Sequence, residues 1–285
     1  MHPPARRHSA FDEARDYAYP MHLREALGDL PATPGVYVFH GEEGGLPLYI
    51  GKSVNLRQRV LSHLRNPEEA RLLRQTRRIS HTCTAGEIGA LLLESWMIKQ
   101  MQPLLNQKLR RSRQLCSLRI VEGRPEVVYS CDLNFATEPH LYGLFASRHA
   151  ALEGLRNLAD QQRLCYGALG LEKLVPGRAC FRATLRQCAG VCRGDEPADV
   201  HSARLLAALD DLRVVCWPYP GAIGLVERQG RLRQIHVVRN WCYLGSATTK
   251  AAARRLDQVV AGFDADSYKI LCKPILRGSV EIVLF

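Results

Sequence analysis

Two short β-prone runs around a glycine-rich link restrict this chain more than any other feature. Residues 35–40 read Gly-Val-Tyr-Val-Phe-His, residues 41–47 read Gly-Glu-Glu-Gly-Gly-Leu-Pro, and residues 48–53 read Leu-Tyr-Ile-Gly-Lys-Ser. β-Branched and aromatic residues on both sides of such a link predict a β-hairpin with a longer loop. A register that sets Tyr37 directly opposite Tyr49 places both phenols on one face. Gly51 and Lys52 then stand at the strand end, where backbone can approach a ligand closely and a cation can reach an anionic one. The same residues also suit a plain hairpin with two aromatic core side chains.

Before the hairpin, residues 21–27 have a short helical pattern closed by Gly28 and Pro31. After it, Ser53 is placed to cap a helix with Leu56, Val60 and Leu64 on one stripe and Asn55, Arg59 and His63 on the next. Pro67-Glu68-Glu69 opens a second helix to about Arg78, residues 79–84 form a short strand, and residues 87–101 form a long helix stopped by Pro103. The predicted fold class is α+β: a small three-stranded antiparallel sheet with flanking helices, a cysteine-rich middle segment and a C-terminal α+β domain. The corresponding divisions are a lead-in at 1–30, a first domain at 31–112, the middle segment at 113–194 and the last domain at 195–285. In that last part the pattern predicts a helix at 200–213, strands at 222–227, 233–238 and 241–245, a helix to about 261, and strands at 268–273 and 280–284.

The long helix reads Ile-Gly-Ala-Leu-Leu-Leu-Glu-Ser-Trp-Met-Ile over 88–98, so Glu94 is the one charge on a surface that is apolar almost all round. A helix of that kind is buried, and a buried carboxylate loses hydration worth several kcal/mol unless a cation offsets it. Two partners fit: Arg59 in a buried salt bridge, or a hard divalent cation such as Mg²⁺ that keeps several of its waters.

The formal charge is +11, from 39 basic and 28 acidic residues, which favours a polyanionic partner. Basic residues gather at Lys52, Arg57, Arg59, Arg65, Arg71, Arg74, Arg77 and Arg78, and again at Lys108, Arg110, Arg111 and Arg113. Together they are candidate contacts to backbone phosphates, giving affinity without sequence reading. No stretch has the apolar length of a membrane span and the first residues lack a signal-peptide core, so no membrane partner and a cytoplasmic location are expected.

Ten cysteines in a chain of this length do not read as a secreted disulfide framework. Four of them, Cys165, Cys180, Cys188 and Cys192, are separated by 14, 7 and 3 residues. Cys188 and Cys192 are at i,i+4 and would share one side of a helical turn. Thiolates so grouped can hold Zn²⁺ or an iron–sulfur cluster, although the spacing lacks the C-x₂-C repeats of a zinc ribbon. Four buried, reduced cysteines are the remaining alternative.

Taken together, Gly35-Val36-Tyr37, Tyr49-Ile50-Gly51, Lys52, Arg59, Glu94 and Asn106 resemble the GIY-YIG nuclease signature in the form found in the N-terminal domain of the nucleotide-excision-repair subunit UvrC. Residues 141–147 followed by the cysteine cluster look like the middle of UvrC, and the whole chain looks most like the short bacterial homologues of UvrC. The resemblance implies a GIY-YIG-type fold and a site in which Glu94 binds one catalytic Mg²⁺ or Mn²⁺. It implies that Tyr49 is the general base, helped by Lys52, that Tyr37 orients the water or Tyr49, and that Arg59 contacts the phosphate while Asn106 positions the site. His63 stands where UvrC has a tyrosine, and it can donate to a phosphate oxygen or share the base role. The resemblance further implies a 4Fe-4S cluster on the four cysteines, damaged double-stranded DNA as substrate, UvrB as partner after loading by UvrA, and incision 3′ to the lesion; a monomer is expected.

Three readings follow from different classes: a repair endonuclease, a GIY-YIG nuclease of a mobile or restriction system, and a non-catalytic DNA-binding protein with a structural metal site. The second would carry a sequence-reading module that the chain does not display. Intact Tyr37, Tyr49, Arg59 and Glu94 weigh against the third.

Overall fold

The hairpin residues form β1 (Gly35–His40) and β2 (Pro47–Ser53), and the free edge of β1 pairs with β3 (Arg78–Cys83) in an antiparallel sheet of order β2-β1-β3. This computed structural model describes residues 20–106, 115–175, 178–257 and 262–285; the phosphate contacts expected at Lys108, Arg110, Arg111 and Arg113 lie outside them. Alternation along β1 sends Tyr37 and Phe39 to one face and Val36 and Val38 to the other. The first face is covered by α1 (Leu56–Leu64) and α2 (Ala70–Gln75), the second by α3 (Glu87–Met101).

The hairpin register differs from the predicted one. Tyr37 lies opposite Gly51 and Phe39 lies opposite Tyr49, with an irregularity between Phe39 and His40. A slip of two residues keeps both tyrosines on one face, which is why face assignment survives while direct opposition fails. Gly51 explains the preference: a Cβ there would sit 2.3 Å from the Tyr37 hydroxyl, so only glycine lets the ring lie across the neighbouring strand.

Helix starts also differ. Asn55, not Ser53, caps α1, its Oδ1 accepting from the Gln58 amide at 3.0 Å, while the Ser53 hydroxyl donates to the Asn55 carbonyl. The second helix is broken into a 3₁₀ turn at Pro67–Glu69 and α2, and the lead-in consists of the 3₁₀ turns Met21–Leu23 and Glu25–Leu27. Leu23 and Leu30 tie the lead-in to the core under α1.

The middle segment contains β4 (Cys116–Val121), β5 (Arg124–Tyr129) and β6 (Leu141–Phe145) in the order β5-β4-β6, followed by α4 (Arg148–Gln161) and the single turn α5 (Phe181–Thr184). α6 (Ala198–Leu209) packs back on it, with Leu205 and Leu209 in one core with Cys116, Leu118, Tyr142 and Leu155.

The C-terminal unit has β7 (Ile223–Gln229), β8 (Leu232–Arg239), β9 (Cys242–Ala247), α7 (Lys250–Leu256), α8 (Ala265–Leu276) and β10 (Glu281–Leu284), with sheet order β10-β7-β8-β9. Residues 268–273, predicted as a strand, are the centre of α8. Asp264 caps that helix, and Ser267, Leu271 and Ile275 are buried at i,i+4 spacing, so the apolar period is helical.

A helix that is apolar all round needs cover on two sides, and α3 has it. Leu93, Met97 and Ile98 face Val36, Val38 and Ile50 of the first sheet. Ile88 and Leu92 pack with Leu225, Val238 and Trp241 of the C-terminal unit. Among the described residues, no helix is long and apolar enough to cross a membrane.

Candidate active site

The end of β2, the middle of α3 and the exposed side of α1 meet at one place. Glu94 is half-buried there, and its Oε1 accepts the backbone N–H of Lys52 at 2.9 Å. Among the described residues no ion pair engages this carboxylate, so the buried salt bridge to Arg59 does not form. Burial pushes its pKa up, against the Lys52 amide and the charges of Lys52 and Arg59. An anchored, half-buried carboxylate that no ion pair engages matches the donor a hard divalent cation takes when it keeps most of its waters.

Tyr49 is half-buried with its ring 6.2 Å from that of Tyr37 and 5.8 Å from the His63 imidazole. Burial and the Glu94 charge hold its phenol above its ordinary pKa, while Arg59 pulls it down. The Lys52 ammonium is 2.7 Å from Glu87 Oε1. Arg59 is exposed on α1, and its charge reaches Tyr37, Tyr49, His63 and Glu94.

His63 faces inward, not towards a passing phosphate: it is 4% exposed and both ring nitrogens are engaged. Nδ1 is bonded to the Glu69 carboxylate, which can only accept. Burial lowers the His63 pKa despite Glu69, so the neutral ring carries its proton on Nδ1 and Nε2 accepts the Tyr37 hydroxyl at 2.6 Å. Tyr37 is itself 1% exposed, and burial followed by Tyr49 raises its phenol strongly. Tyr37, His63 and Glu69 thus form one hydrogen-bonded line beneath Tyr49.

Asn106 acts through the backbone. Its Oδ1 accepts from Ile50 N at 2.9 Å and its Nδ2 donates to Ile50 O at 2.8 Å, so one side chain imitates a strand neighbour on the β2 edge between Tyr49 and Gly51. Leu104 and Leu105 extend that edge through their amides to the carbonyls of Pro47 and Leu48. Arg57, Arg74, Arg77 and Arg78 are all exposed, Arg77 within 3.4 Å of Glu42.

The cysteines converge in a second place. Cys165 and Cys180 have Sγ atoms 3.5 Å apart, Cys180 and Cys188 3.7 Å apart, and the Sγ atoms of Cys165, Cys180 and Cys192 lie within 4.8 Å of one another. This trio can hold a metal. Cys188 and Cys192 do not share a helical turn as predicted, because Gly190 at φ +85° breaks the chain between them and only Val191–Arg193 forms a 3₁₀ turn. Burial pushes Cys192 up to about 11; Cys180, which burial also pushes up, is drawn below its ordinary value by the Ala183 amide and the neighbouring thiols. His201, buried beside them, accepts the Cys165 amide at 3.1 Å.

Sequence reasoning missed Phe39, whose ring lies 5.3 Å from His63, and Glu69, which orients that histidine. The second acid of Pro67-Glu68-Glu69, following a histidine on the preceding helix, was the available signal for Glu69.

Family models match in three consecutive stretches: the UvrC-like GIY-YIG domain at 33–107, the UvrC/Cho excinuclease middle domain at 107–211 and the excinuclease Cho C-terminal domain at 222–285. The excinuclease Cho of Escherichia coli (strain K12) is 57% identical over 272 residues, covering 95% of this chain and 92% of that protein. The UvrABC system protein C of Caldicellulosiruptor saccharolyticus is 30% identical over 184 residues, covering 62% of this chain and 30% of that one. A crystal structure of the GIY-YIG N-terminal endonuclease domain of UvrC from Thermotoga maritima, bound to magnesium as its catalytic divalent cation, shares 30% identity over 30% of this chain and 94% of its own, with a TM-score of 0.27. With its domains matched in order and more than half its residues shared with relatives of nearly equal length, this chain belongs to the excinuclease Cho family of GIY-YIG endonucleases.

Proposed function

We propose that this endonuclease hydrolyses a phosphodiester of damaged double-stranded DNA, 3′ to the lesion and within a complex that UvrA loads and UvrB forms, with one Mg²⁺ or Mn²⁺ at Glu94. The observation that carries the reading is the anchored Glu94 carboxylate, which lies within electrostatic reach of Tyr49 and the Arg59 charge. Held by Glu94, such an ion would supply Lewis-acid stabilisation of the leaving 3′ oxygen and would offset the carboxylate charge that helps keep the Tyr49 proton in place.

The chain's own groups do the rest. Tyr49, once its own proton has gone to solvent and it is the phenolate, takes the proton of the attacking water, and Arg59 stabilises the charge that grows on the phosphate in the transition state. Tyr37 orients Tyr49 and the water, while His63 shares the base role indirectly, ready to hold the Tyr37 proton at Nε2 with Glu69 stabilising the imidazolium. Asn106 fixes the β2 backbone that presents Tyr49, and Lys52 fixes Glu94 through its amide. Arg57, Arg74, Arg77, Arg78 and the ammonium of Lys52, with Lys108, Arg110, Arg111 and Arg113 beyond, provide contacts to the DNA backbone.

For the four cysteines we propose a 4Fe-4S cluster. Zn²⁺ is the second reading, because sulfur separations of 3.5 and 3.7 Å are close to the ~3.8 Å between thiolates on one tetrahedral zinc at the usual Zn–S length. The C-terminal unit, with α6 packed instead on the core of the middle segment, supplies docking or stability and no reacting group.

The deciding experiment is strand cleavage of a lesion-bearing duplex with and without UvrA and UvrB in Mg²⁺. Incision 3′ to the lesion that needs both proteins supports the whole reading. Equal cutting of undamaged duplex without them would remove the repair assignment and leave a nonspecific nuclease.

A further inference from the structure

The helix that carries Glu94 has no cap of its own. Gly86 occupies the N-cap position of α3 and offers no side chain, so the amides at the start of the helix need partners from elsewhere. They find them on β7 of the C-terminal unit: Glu227 accepts Ile88 N through Oε1 at 3.0 Å and Gly89 N through Oε2 at 2.7 Å. Beside it Gln234 accepts the Ala85 amide at 2.8 Å.

Glu227 is itself held. His236, 1% exposed, lies 3.0 Å from Glu227 Oε2 through Nε2 and 2.6 Å from the Ser246 hydroxyl through Nδ1; Ser246 in turn meets the Tyr243 hydroxyl at 2.6 Å. Burial pushes the Glu227 carboxyl up, but His236 and the two amides hold it below its ordinary pKa, so an anion faces the positive end of the helix. The fit leaves no slack: a Cβ on Gly86 would fall 2.2 Å from Glu227 Oε1, and one on Gly89 would fall 2.4 Å from His236 Cε1. At the other end, Lys99 is 2.6 Å from Asp264 and 2.8 Å from Asp266, both at the start of α8.

We propose that Glu227, braced by His236, is a positioning residue of the nuclease site: it caps α3 from the C-terminal unit and so sets where Glu94 stands. Glu94 lies about 7.5 Å along the axis from Gly89, about 1.4 turns, at the ordinary helical rise. A shift of the first turn is therefore delivered to the carboxylate, whose other fixed point is the Lys52 amide. The C-terminal unit completes the geometry of a site to which it supplies no contacting group. This rests on the reading of Glu94 as the divalent-ion ligand.

The test uses the full chain with Glu227→Ala, Glu227→Gln, Glu94→Gln and, as a control for mere attachment of the two units, Lys99→Gln. Mn²⁺ binding is followed calorimetrically without DNA, and amide exchange is followed along 88–98. Glu227→Ala is expected to weaken Glu94-dependent Mn²⁺ binding about tenfold, as loss of an orienting partner does, with Glu227→Gln in between. It also speeds exchange at 88–89 and on through the turn of Glu94, whereas Lys99→Gln changes melting without moving either readout. Unchanged Mn²⁺ affinity, or faster exchange confined to 88–89, would overturn the proposal. If wild-type Mn²⁺ binding does not depend on Glu94, the metal reading fails, and exchange through 90–94 still decides whether the cap positions that turn.

Discussion

Lys52 and Glu94 are joined through the main chain of one and the side chain of the other: the Lys52 amide donates to Glu94 Oε1 at 2.9 Å, while the Lys52 ammonium turns outward to Glu87. The strand that presents Tyr49 and the helix that presents Glu94 are therefore locked together independently of the identity of residue 52. Lys52→Ala should keep the fold and the position of Glu94, and should reduce cleavage far less than loss of Glu94 does. Single-turnover rates for the two variants, measured side by side in Mg²⁺, check the order; equal losses would mean that the ammonium itself acts on the reacting groups.

Glu94→Gln should retain DNA binding and melting behaviour while cleavage falls by about a hundredfold or more, because the groups that stabilise developing charge contribute on that scale. Arg59→Ala should do the same, as Arg59 lies on the exposed side of α1 and its loss removes one hydrogen bond to the Tyr37 phenol, which keeps its bond to His63. A cleavage rate within a few-fold of wild type for either variant in Mg²⁺ would show that the reacting phosphate lies elsewhere.

The neutral His63 ring is favoured by folding, since burial holds its pKa below the 6.5 of a free imidazole. Its contribution is complete above about pH 6.5, where neither folded nor unfolded chain protonates the ring. It is lost as pH falls from there through the lowered folded value, because the unfolded chain binds the proton first. His63→Gln should flatten that part of the stability profile in urea titrations between pH 5 and 7, and should leave the Tyr37 hydroxyl with a weaker acceptor. Glu69→Gln should lower the His63 pKa further by removing the neighbouring charge, which proton resonances of the ring report directly.

The hairpin and the long helix were legible because each depends on a run of adjacent residues with a clear period, and Tyr37, Tyr49, Arg59 and Glu94, singled out by the resemblance, do come near one another. The hairpin register was not legible, because a two-residue slip leaves every side chain on the same face and the choice falls to how a phenol clears Gly51. Residues 268–273 read as a strand because Tyr268, Ile270 and Cys272 alternate, whereas the buried set Ser267, Leu271 and Ile275 follows the helical period over a longer window. Position 94 was recognised as needing compensation, yet the Lys52 amide that anchors it carries no side-chain signature. The cap by Glu227 joins residues 138 and 139 positions apart and had no local trace at all.

Gly51 offers a sharp steric test. A methyl group there would meet the Tyr37 hydroxyl at 2.3 Å and the Tyr49 ring at 2.9 Å, so Gly51→Ala must displace one of the two phenols. Overpacking of this kind costs about 1–3 kcal/mol, and cleavage should fall more steeply than stability because either ring belongs to the proposed site. Gly221→Ala, where an added Cβ meets nothing within 4 Å, is the matched control and should leave melting and cleavage unchanged.

The cysteines allow a test that does not involve cutting. Cys165, Cys180 and Cys188 are buried and Cys192 is partly so, and no residue of the site around Glu94 belongs to their cluster. On the proposed reading, a centre held here would organise the middle segment and leave hydrolysis to the site at Glu94. Protein prepared without air should be brown and carry about four iron atoms if the 4Fe-4S proposal holds. Colourless protein with one tightly held zinc would select the second reading, in line with the close sulfur spacing. Cys180 meets three of the other groups, through Sγ contacts to Cys165 and Cys188 and through its amide to Cys192 Sγ at 3.3 Å. Cys180→Ser should therefore lose the metal most completely, and with it solubility or DNA affinity, while the folded remainder keeps Mg²⁺-dependent cleavage within a few-fold. Metal-free protein with four titratable thiols and wild-type melting would show instead that these cysteines are packing, and that the pull on the Cys180 thiol has no ion to serve.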